Sequence, residues 1–294
     1  MIYIIGGQTA SGKSDLALEF ARRIGGHIIN GDAFQVYRNL DIGTAKVSKE
    51  EQLIVPHHLF DIIDIDENFS IFDYQTLARK KINELIAQNI PIVIVGGSGL
   101  YIRSVLFDYR FSNDVAVDMS KFSSMTDVQV HYYLKTIDAE SAEKIHVNNR
   151  RRVLRAIEIY LQTGSTKSYL ENIQNKHPYY EYTMIMLDID KDELDGKIKN
   201  RVMQMFKSGL KEELSNLLLT YEKTAPGFRA IGYKEMIEHP LITDSQLIDL
   251  ISKNTIHYAK RQKTFFKNQF EIKTFVNKSE ALQYLLTTFE ENRK

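Results

Sequence analysis

The chain contains no cysteine among its 294 residues. This absence excludes disulfides, thiolate metal ligands and a cysteine nucleophile, and it fits a reducing compartment. The chain also has no net charge, because 38 lysines and arginines balance 38 aspartates and glutamates. Without a global field to attract nucleic acid, any binding of nucleic acid requires local basic patches.

Long apolar runs are missing as well. The start, MIYIIGG, is apolar but lacks the basic residues and the length of a signal peptide. The most apolar internal run, at residues 90–95, is far shorter than the roughly 20 residues that span a bilayer. The protein is therefore predicted to be cytoplasmic and without a membrane segment.

Short β-branched runs alternate with amphipathic stretches in the first third of the chain, a pattern typical of βαβ units. Strands are predicted at residues 3–5, 27–30, 91–95 and 183–187, with a weaker candidate at 59–63. The run at 91–95 is apolar throughout, which favours a central position in a parallel sheet. These patterns predict an α/β fold with a parallel sheet flanked by helices, as in the P-loop NTPases.

The character of the sequence changes after residue 112. Residues 113–180 are polar, show helical patterns and lack a strong strand, and strand character then returns at 183–187. The sheet is therefore predicted to be interrupted and resumed. We expect a P-loop core formed by residues 1–112 and 181–294, with a mainly helical insertion domain at 113–180.

A phosphate-binding loop is the strongest single motif. The pattern G-x-x-x-x-G-K-[ST] lies between a predicted strand and a predicted helix, as this motif requires. Its members are Gly7, Gln8, Thr9, Ala10, Ser11, Gly12, Lys13 and Ser14. The loop N–H groups and the helix terminus suit phosphate oxygens, Lys13 reaches the outer phosphate, and Ser14 is suited to Mg²⁺. No carboxylate ends the strand at 91–95, which argues against a motor protein or a GTPase.

Two further polar residues follow predicted strands and should lie near this loop, because the carboxyl ends of parallel strands share one side. Asp32 can accept a proton from a nucleophile or help to hold Mg²⁺ through water, but it can equally cap a helix. Ser98, in the glycine-rich turn after the strand at 91–95, can contact a phosphate. A plain strand-to-helix turn would have the same composition.

Basic residues form two clusters. The first contains Arg150, Arg151, Arg152 and Arg155; the second contains Lys260, Arg261, Lys263 and Lys267, interleaved with Tyr258, Phe265 and Phe266. Basic and aromatic side chains together suit looped or single-stranded RNA. Each cluster alone is also compatible with a solvated helix face.

Six blocks of the chain together resemble the bacterial tRNA dimethylallyltransferases, the IPP transferase family. They are GGQTASGKS, NGDAFQVYRNLDIGTAK, VPHHLFDI, VGGSGLY, GFRAIGYKEM and HYAKRQKTFF, in the order of the family and extending to about residue 270. The segments DIGTAK, GGSGLY, IGYKE and YAKRQ carry the specificity of the resemblance, because the phosphate loop occurs in many families.

The resemblance implies an activity and its partners. A dimethylallyl group would pass from dimethylallyl diphosphate to N6 of adenosine 37, in tRNAs that read codons beginning with U, with Mg²⁺ as cofactor. The insertion would bind the tRNA anticodon stem-loop, and the protein would act as a monomer. The loop from Thr9 to Ser14 would hold the diphosphate of the donor in place of ATP.

The resemblance also implies roles for individual residues. Asp32 matches the general base of the family, Ser98 replaces a usual threonine that helps to bind the departing diphosphate, and Arg201 matches a basic residue that steadies it. The implied tRNA contacts are Asp32, Ala33, Phe34, Gln35, Arg151, Arg152, Val153, Leu154, Arg155, Phe228, Arg229, Gly232 and Tyr233. The sequence departs from the family at Ala33, usually serine, at Phe265, usually tryptophan, and in its short insertion.

Three other functions share some of these features. A small-molecule kinase would use the same loop and sheet, with residues 150–155 as an arginine-rich lid. A prenyltransferase for free adenine nucleotides would use the same donor. The third alternative is an RNA-binding module whose phosphate loop has lost its activity, but Lys13, Ser14 and Asp32 are all intact. The basic and aromatic C-terminal segment favours RNA as the substrate over the first two.

Overall fold

The computed structural model describes residues 1–107, 117–172 and 177–293. The chain divides into two compact units, Met1–Leu106 with Tyr179–Lys294, and Phe107–Pro178. The predicted start of the insertion, residue 113, lies outside the described residues. Its predicted end, residue 180, lies in the first unit, in which the N–H of Tyr179 donates a hydrogen bond to the carbonyl of Leu106.

A parallel sheet forms the centre of the first unit. Its strands are β1 (Ile2–Gly6), β2 (His27–Asn30), β3 (His57–His58), β4 (Ile92–Gly96), β5 (Tyr182–Leu187) and β6 (Lys273–Phe275). They lie in the order β3-β2-β4-β1-β5-β6, and every neighbouring pair is parallel. The central strands β1 and β4 are buried along their whole length, which explains their apolar sequences. The predicted α/β fold is confirmed.

Helices occupy most of the remaining described chain. They are α1 (Lys13–Ile24), α2 (Lys49–Ile54), α3 (Ile71–Ala87), α4 (Gly99–Leu106), α5 (Asp127–Ile137), α6 (Ala139–Lys144), α7 (Arg150–Thr163), α8 (Lys167–Asn172), α9 (Lys191–Lys207), α10 (Leu210–Leu217), α11 (Tyr233–Glu238), α12 (Asp244–Gln269) and α13 (Lys278–Glu291). Helices α1 and α13 pack on the sheet, since Phe20 and Leu285 share one core with Tyr3 and Val93. None of the described helices has the length and hydropathy needed to cross a membrane.

The prediction of a strand at residues 59–63 is wrong. Leu59 and Asp61 adopt left-handed backbone angles, with φ of 64° and 54°, which a strand does not tolerate. The third strand lies just before them, as the two-residue β3 beside β2. Strand β6 had no signal in the sequence, because it is three residues long and largely exposed at the sheet edge.

The long helix α12 lies against the ends of β1 and β4. Its Phe266 ring fills the space above Gly6, where an added Cβ would come within 2.3 Å of the ring. Phe265 occupies the equivalent position above Gly99, also at 2.3 Å. The side chain of Phe266 is fully buried, so this ring packs the core and does not stack on RNA as the sequence suggested.

The second unit is helical in its described part. Helices α5, α6 and α7 contribute to a core that includes Phe122, Val130 and Val153. Arg150 is a structural residue of this unit, because its guanidinium donates to the carbonyl of Phe122 at 2.6 Å and to the carboxylate of Asp127 at 2.8 Å. Of the first basic cluster, only the later arginines are therefore available to a ligand.

The glycines of the first unit provide a matched test of packing. Alanine at Gly96 would place its Cβ 2.1 Å from the backbone of Gly31, so we expect Gly96→Ala to destabilise the protein by about 3 kcal/mol or more. Gly196 lies inside α9 with open space around it, so Gly196→Ala should stabilise by about 0.5–1 kcal/mol. Urea denaturation of both variants measures the difference, and equal free energies of unfolding would contradict it.

Candidate active site

The phosphate loop connects β1 to α1 and is shaped by its glycines. Gly7 and Gly12 have backbone φ angles of 123° and 86°, which residues other than glycine rarely adopt. The carbonyl of Gln8 then accepts hydrogen bonds from Ser11 Oγ at 2.9 Å and Lys13 Nζ at 3.0 Å. The first N–H groups of α1 lack partners within the helix, so this end is arranged to bind an anion.

A polar cavity of about 410 Å³ opens above this loop. Lys13, Ser14, Asp32 and Arg201 all line it, so the structure brings the predicted phosphate loop, base and leaving-group residue together. Asp32 stands after β2 and Arg201 lies within α9, which are far apart in sequence. Their convergence follows from the parallel sheet, whose strand ends share one side.

The charges in this cavity do not balance. Burial lowers the pKa of the Lys13 ammonium to about 8, with a smaller contribution from the positive charge of Arg201 and an opposing one from Asp32. Burial likewise lowers the pKa of Arg201, again opposed by Asp32. Asp32 thus interacts with two cations, the buried Lys13 and the half-buried Arg201, and a bound anion would relieve the repulsion between those cations.

Asp32 is held by its own turn. Its Oδ1 accepts the N–H of Phe34 at 3.0 Å, and its backbone N–H donates to Asn30 Oδ1 at 2.8 Å. Asn30 is fully buried and is fixed in turn by the hydroxyl of Tyr74, which donates to its carbonyl at 2.8 Å. Residues 33–47 form turns, so the alternative in which Asp32 caps an α-helix is wrong.

A second, apolar cavity of about 230 Å³ adjoins the first. Its walls include Phe34, Ile198, Val202, Met205, Ile231, Ile251 and Tyr258. Both cavities are lined by Thr9, Asp32, Thr44 and Arg201. Burial, with the nearby charge of Asp32, raises the pKa of Tyr258 to about 12, against hydrogen bonds from Ser98 and Gln262. Because Asp32 lines both cavities, its carboxylate lies where a charged and an uncharged ligand group would meet.

Ser98 joins two of the loops around the cavities. Its Oγ accepts the N–H of Ala33 at 2.9 Å, and its own N–H donates to the carbonyl of Gly31 at 3.0 Å. The hydroxyl predicted to bind phosphate therefore also fixes the turn that carries Asp32. The Ser98 hydroxyl also hydrogen-bonds Tyr258, and Ser98 lines neither of the two cavities, so its contact with phosphate stays a prediction.

A carboxylate that sequence reasoning missed holds the DIGTAK segment. Glu213 accepts the N–H groups of Asp41 and Ile42 at 3.2 and 2.9 Å, and the hydroxyl of Tyr233 at 2.5 Å. The same hydroxyl accepts the N–H of Gly43 at 3.0 Å. Burial, together with Glu213, raises the pKa of Tyr233. Sequence reasoning missed Glu213 because the backbone groups that it binds are far away along the chain and no motif surrounds it.

Lys46, the last residue of DIGTAK, is also structural. Its ammonium donates to the carbonyl of Tyr37 at 2.8 Å and to the carboxylates of Asp41 and Asp61 at 2.6 Å each. The Gln35 side chain, predicted to contact tRNA, donates to the carbonyl of Thr44 at 3.0 Å and lines the polar cavity. These bonds hold the loop that forms one wall of the site.

Several of the residues predicted to contact tRNA are buried in the structure. Phe228 and Tyr233 are 2% and 0% exposed, and Gly232 is buried beside them. Val153 is buried in the core of the second unit. Motif matching cannot separate a residue that contacts a ligand from a neighbour that packs beneath it.

The other predicted tRNA contacts are at least partly accessible. Arg151, Arg152, Arg155 and Arg229 are exposed, and Leu154, Ala33 and Phe34 are half-buried. Arg155 is paired with Glu158 at 2.7 Å on the surface of α7. The accessible arginines of α7 form a cationic face of the second unit.

The second basic cluster is partly neutralised within the protein. Asp188, directly after β5, pairs with Lys263 and, at 2.9 Å, with Lys267. A strand-end carboxylate thus exists after all, on β5, but it is occupied by these lysines. It orients α12 and is not free to hold a metal.

The donor atoms of the cavity fit Mg²⁺. The described residues contain no cluster of three or more His, Asp or Glu side chains that would hold a metal alone. Mg²⁺ does not need one, because it usually takes one or two protein oxygens together with phosphate oxygens and water. Ser14, exposed at the wall, and Asp32 would supply those protein oxygens.

Comparison with known proteins gives a consistent family. A family model described as IPP transferase matches residues 35–269. The tRNA dimethylallyltransferase of Staphylococcus carnosus is 39% identical over 297 residues, which is 97% of this chain and 94% of that protein. The tRNA dimethylallyltransferase of Anoxybacillus flavithermus is 40% identical, covering 93% of this chain and 89% of that one.

Solved structures show the same likeness. The tRNA delta(2)-isopentenylpyrophosphate transferase of Staphylococcus epidermidis superposes with a TM-score of 0.73 at 33% identity, covering 99% of this chain and 98% of that one. A eukaryotic dimethylallyltransferase acting on tRNA superposes with a TM-score of 0.81 at 25% identity. It covers 93% of this chain and 73% of the eukaryotic one.

The depressed pKa of Lys13 predicts how anion binding depends on pH. Lys13 is charged below pH 8 and loses its proton above it, so the affinity for methyl diphosphate should be level below about pH 8. Above that pH it should fall by up to about tenfold per pH unit, while the ligand itself stays fully ionised. Calorimetric titration from pH 7 to 9.5 measures this.

The matched variant for this measurement is Lys13→Arg. Arginine stays protonated over the whole range, so its affinity, whatever its absolute value, should not fall above pH 8. A wild-type affinity that stayed level to pH 9.5 would contradict the assignment of Lys13 as the titrating cation.

Proposed function

The chain belongs to the IPP transferase family, and from this membership we propose that it is a tRNA dimethylallyltransferase. It transfers the dimethylallyl group of dimethylallyl diphosphate to N6 of adenosine 37 in tRNA and releases diphosphate. The observation that carries the proposal is the position of Asp32, which lines both the polar cavity and the apolar cavity. That position suits a base between a departing anion and an uncharged acceptor.

The polar cavity takes the diphosphate of the donor. Lys13 is buried and Arg201 is half-buried there, so water weakens their attraction for a departing anion less than it would at the surface. The N–H groups at the start of α1 add donors that need not reorganise during the reaction. Mg²⁺, when bound, neutralises further charge on the diphosphate.

The apolar cavity takes the dimethylallyl group and the adenine. The allylic C–O bond of the donor breaks, and its electron pair leaves with the diphosphate. The lone pair of N6 forms the new N–C bond, and the proton that N6 loses passes to Asp32. Asp32 suits this role because its Oδ1 is held by the N–H of Phe34, which fixes the carboxylate before the substrate arrives.

The tRNA is held by more than the site itself. A base in the anticodon loop must leave its stack to reach a cavity within the protein, at a cost of a few kcal/mol. Phosphate contacts from exposed arginines offset that cost, and Arg151, Arg152 and Arg155 on α7 are available for them. We propose that this helix contacts the anticodon stem-loop, and that the protein acts as a monomer in the cytoplasm.

A small-molecule kinase is the weaker proposal. Its arginine lid would draw on residues 150–155, but Arg150 is committed to the carbonyl of Phe122 and to Asp127. A kinase also gains nothing from an apolar cavity lined by Ile198, Val202 and Met205 beside its phosphate site. Those side chains suit a hydrocarbon group.

The proposed function is tested by incubating the protein with Mg²⁺, dimethylallyl diphosphate and an unmodified tRNA that carries A36-A37-A38. Mass spectrometry of the digested nucleosides should show one prenylated adenosine, absent when A37 is replaced by G. AMP offered as acceptor should give no product. Prenylation of AMP, or phosphoryl transfer from ATP without any prenylation, would overturn the proposal.

Asp32→Asn tests the proton acceptor. Asparagine keeps an oxygen for the N–H of Phe34 but cannot take a proton, so kcat should fall about 10²–10⁴-fold. The Kd for tRNA should change less than threefold, and the exposed carboxylate variant Asp66→Asn should match the wild type. A loss of tRNA affinity as large as the loss of kcat would make Asp32 a binding residue and not the base.

A further inference from the structure

Gln262, in the YAKRQ segment of α12, connects the two glycine-rich loops of the site. Its side chain is 4% exposed. Its Oε1 accepts the N–H of Thr9 in the phosphate loop at 2.8 Å, and its Nε2 donates to the carbonyl of Gly97 at 3.0 Å. One amide therefore bridges the loops that follow the neighbouring strands β1 and β4.

The fit around this amide is close. A Cβ on Gly97 would lie 2.1 Å from Gln262 Nε2, so the side chain lies directly on the glycine backbone. Phe265 and Phe266, three and four residues later on α12, pack on Gly99 and Gly6 in the same way. The register of α12 is therefore fixed by packing on both loops, and Gln262 cannot move independently of them.

The bond to Thr9 also sets the direction of one peptide group. In a trans peptide the N–H and the carbonyl point to opposite sides. Because the N–H of Thr9 points to Gln262, the carbonyl of Gln8 points away from α12, where it accepts Lys13 Nζ and Ser11 Oγ. Gln262 thus determines where the Lys13 ammonium rests before a ligand binds.

The bond to Gly97 extends this control to the other loop. Gly97 precedes Ser98, whose Oγ accepts the N–H of Ala33, the residue after Asp32. Gln262 therefore connects the phosphate loop to Gly97, and the next residue, Ser98, connects Gly97 to the turn that carries Asp32. Movement of the Gln262 amide would displace both the phosphate loop and the Asp32 turn.

We propose that Gln262 is a positioning residue for the transfer reaction, which holds the phosphate loop and the Asp32 turn at a set separation. The predicted loss of kcat rests on the proposed function, whereas the predicted loss of diphosphate affinity concerns the phosphate loop alone. Gln262 lines neither cavity and acts through Thr9, Gly97 and Tyr258. Its removal should therefore weaken diphosphate binding and lower kcat, while the KM for tRNA stays within about twofold.

Gln262→Met is the first variant, because methionine has a similar volume but makes none of the hydrogen bonds to Thr9, Gly97 and Tyr258. We expect the Kd for methyl diphosphate to rise about tenfold and kcat to fall about 10²-fold, as for a displacement of about 1 Å in a reacting group. The exposed Gln269 at the end of α12 gives the control Gln269→Met, which should match the wild type. Unchanged diphosphate affinity and kcat in Gln262→Met would overturn the proposal.

Gln262→Glu separates positioning from folding. Its carboxylate still accepts the N–H of Thr9 but cannot donate to Gly97, whereas the protonated acid can do both. Activity relative to the wild type at the same pH should therefore recover at least threefold as the pH falls from 8 to 6, since burial beside a carbonyl raises the pKa of this acid. A ratio that is independent of pH would contradict a positioning role.

The outcomes also separate this inference from the proposed function. A wild-type protein that failed to prenylate tRNA, while Gln262→Met still lost affinity for methyl diphosphate, would refute the function and leave the role of Gln262 standing. Normal prenylation by Gln262→Met would refute the role of Gln262 and leave the function standing.

Discussion

The contact between α12 and the glycines at the strand ends is the constraint on which the site depends. The helix lies directly on Gly6, Gly97 and Gly99, and none of these positions has room for a Cβ. Such an approach brings side chains of α12 within hydrogen-bonding distance of loop backbone, which a larger residue would keep apart. The loops are therefore shaped by a helix that follows them by more than 140 residues in the chain.

This contact explains how the Lys13 ammonium is held within the polar cavity. Lys13 and Arg201 repel each other, and burial disfavours the charge of each. A flexible loop would relax by moving Lys13 into solvent. Here the Gln8 carbonyl holds the ammonium, and that carbonyl is oriented by the Thr9 peptide bonded to α12. The cost of desolvating the cations is thus met by folding, before any ligand arrives.

Sequence reasoning predicted the parts of the fold that depend on local signals. Strands β1, β2, β4 and β5 were predicted because apolar β-branched runs mark them. The edge strand β6 and the turn at Leu59 were not predicted, since neither leaves a periodic pattern. In the site, Lys13 and Asp32 line one cavity with Arg201, the residue that the family resemblance implied. Glu213 and Gln262 escaped notice because the loop backbone groups that they bind lie about 170 and 165–253 residues away.

The segments most specific to the family prove to be pairs. DIGTAK meets Glu213 and the tyrosine of IGYKE, and the glycine-rich turn GGSGLY meets the glutamine of YAKRQ. In each pair one segment supplies backbone N–H or carbonyl groups and the other supplies the side chain that binds them, so loss of that side chain would remove a partner from a backbone group. The phosphate loop, by contrast, occurs in many families that bind phosphate. The distant pairs hold the other loops of the site, and the glutamine also binds the phosphate loop through Thr9, so the pairs and not the loop alone distinguish this site.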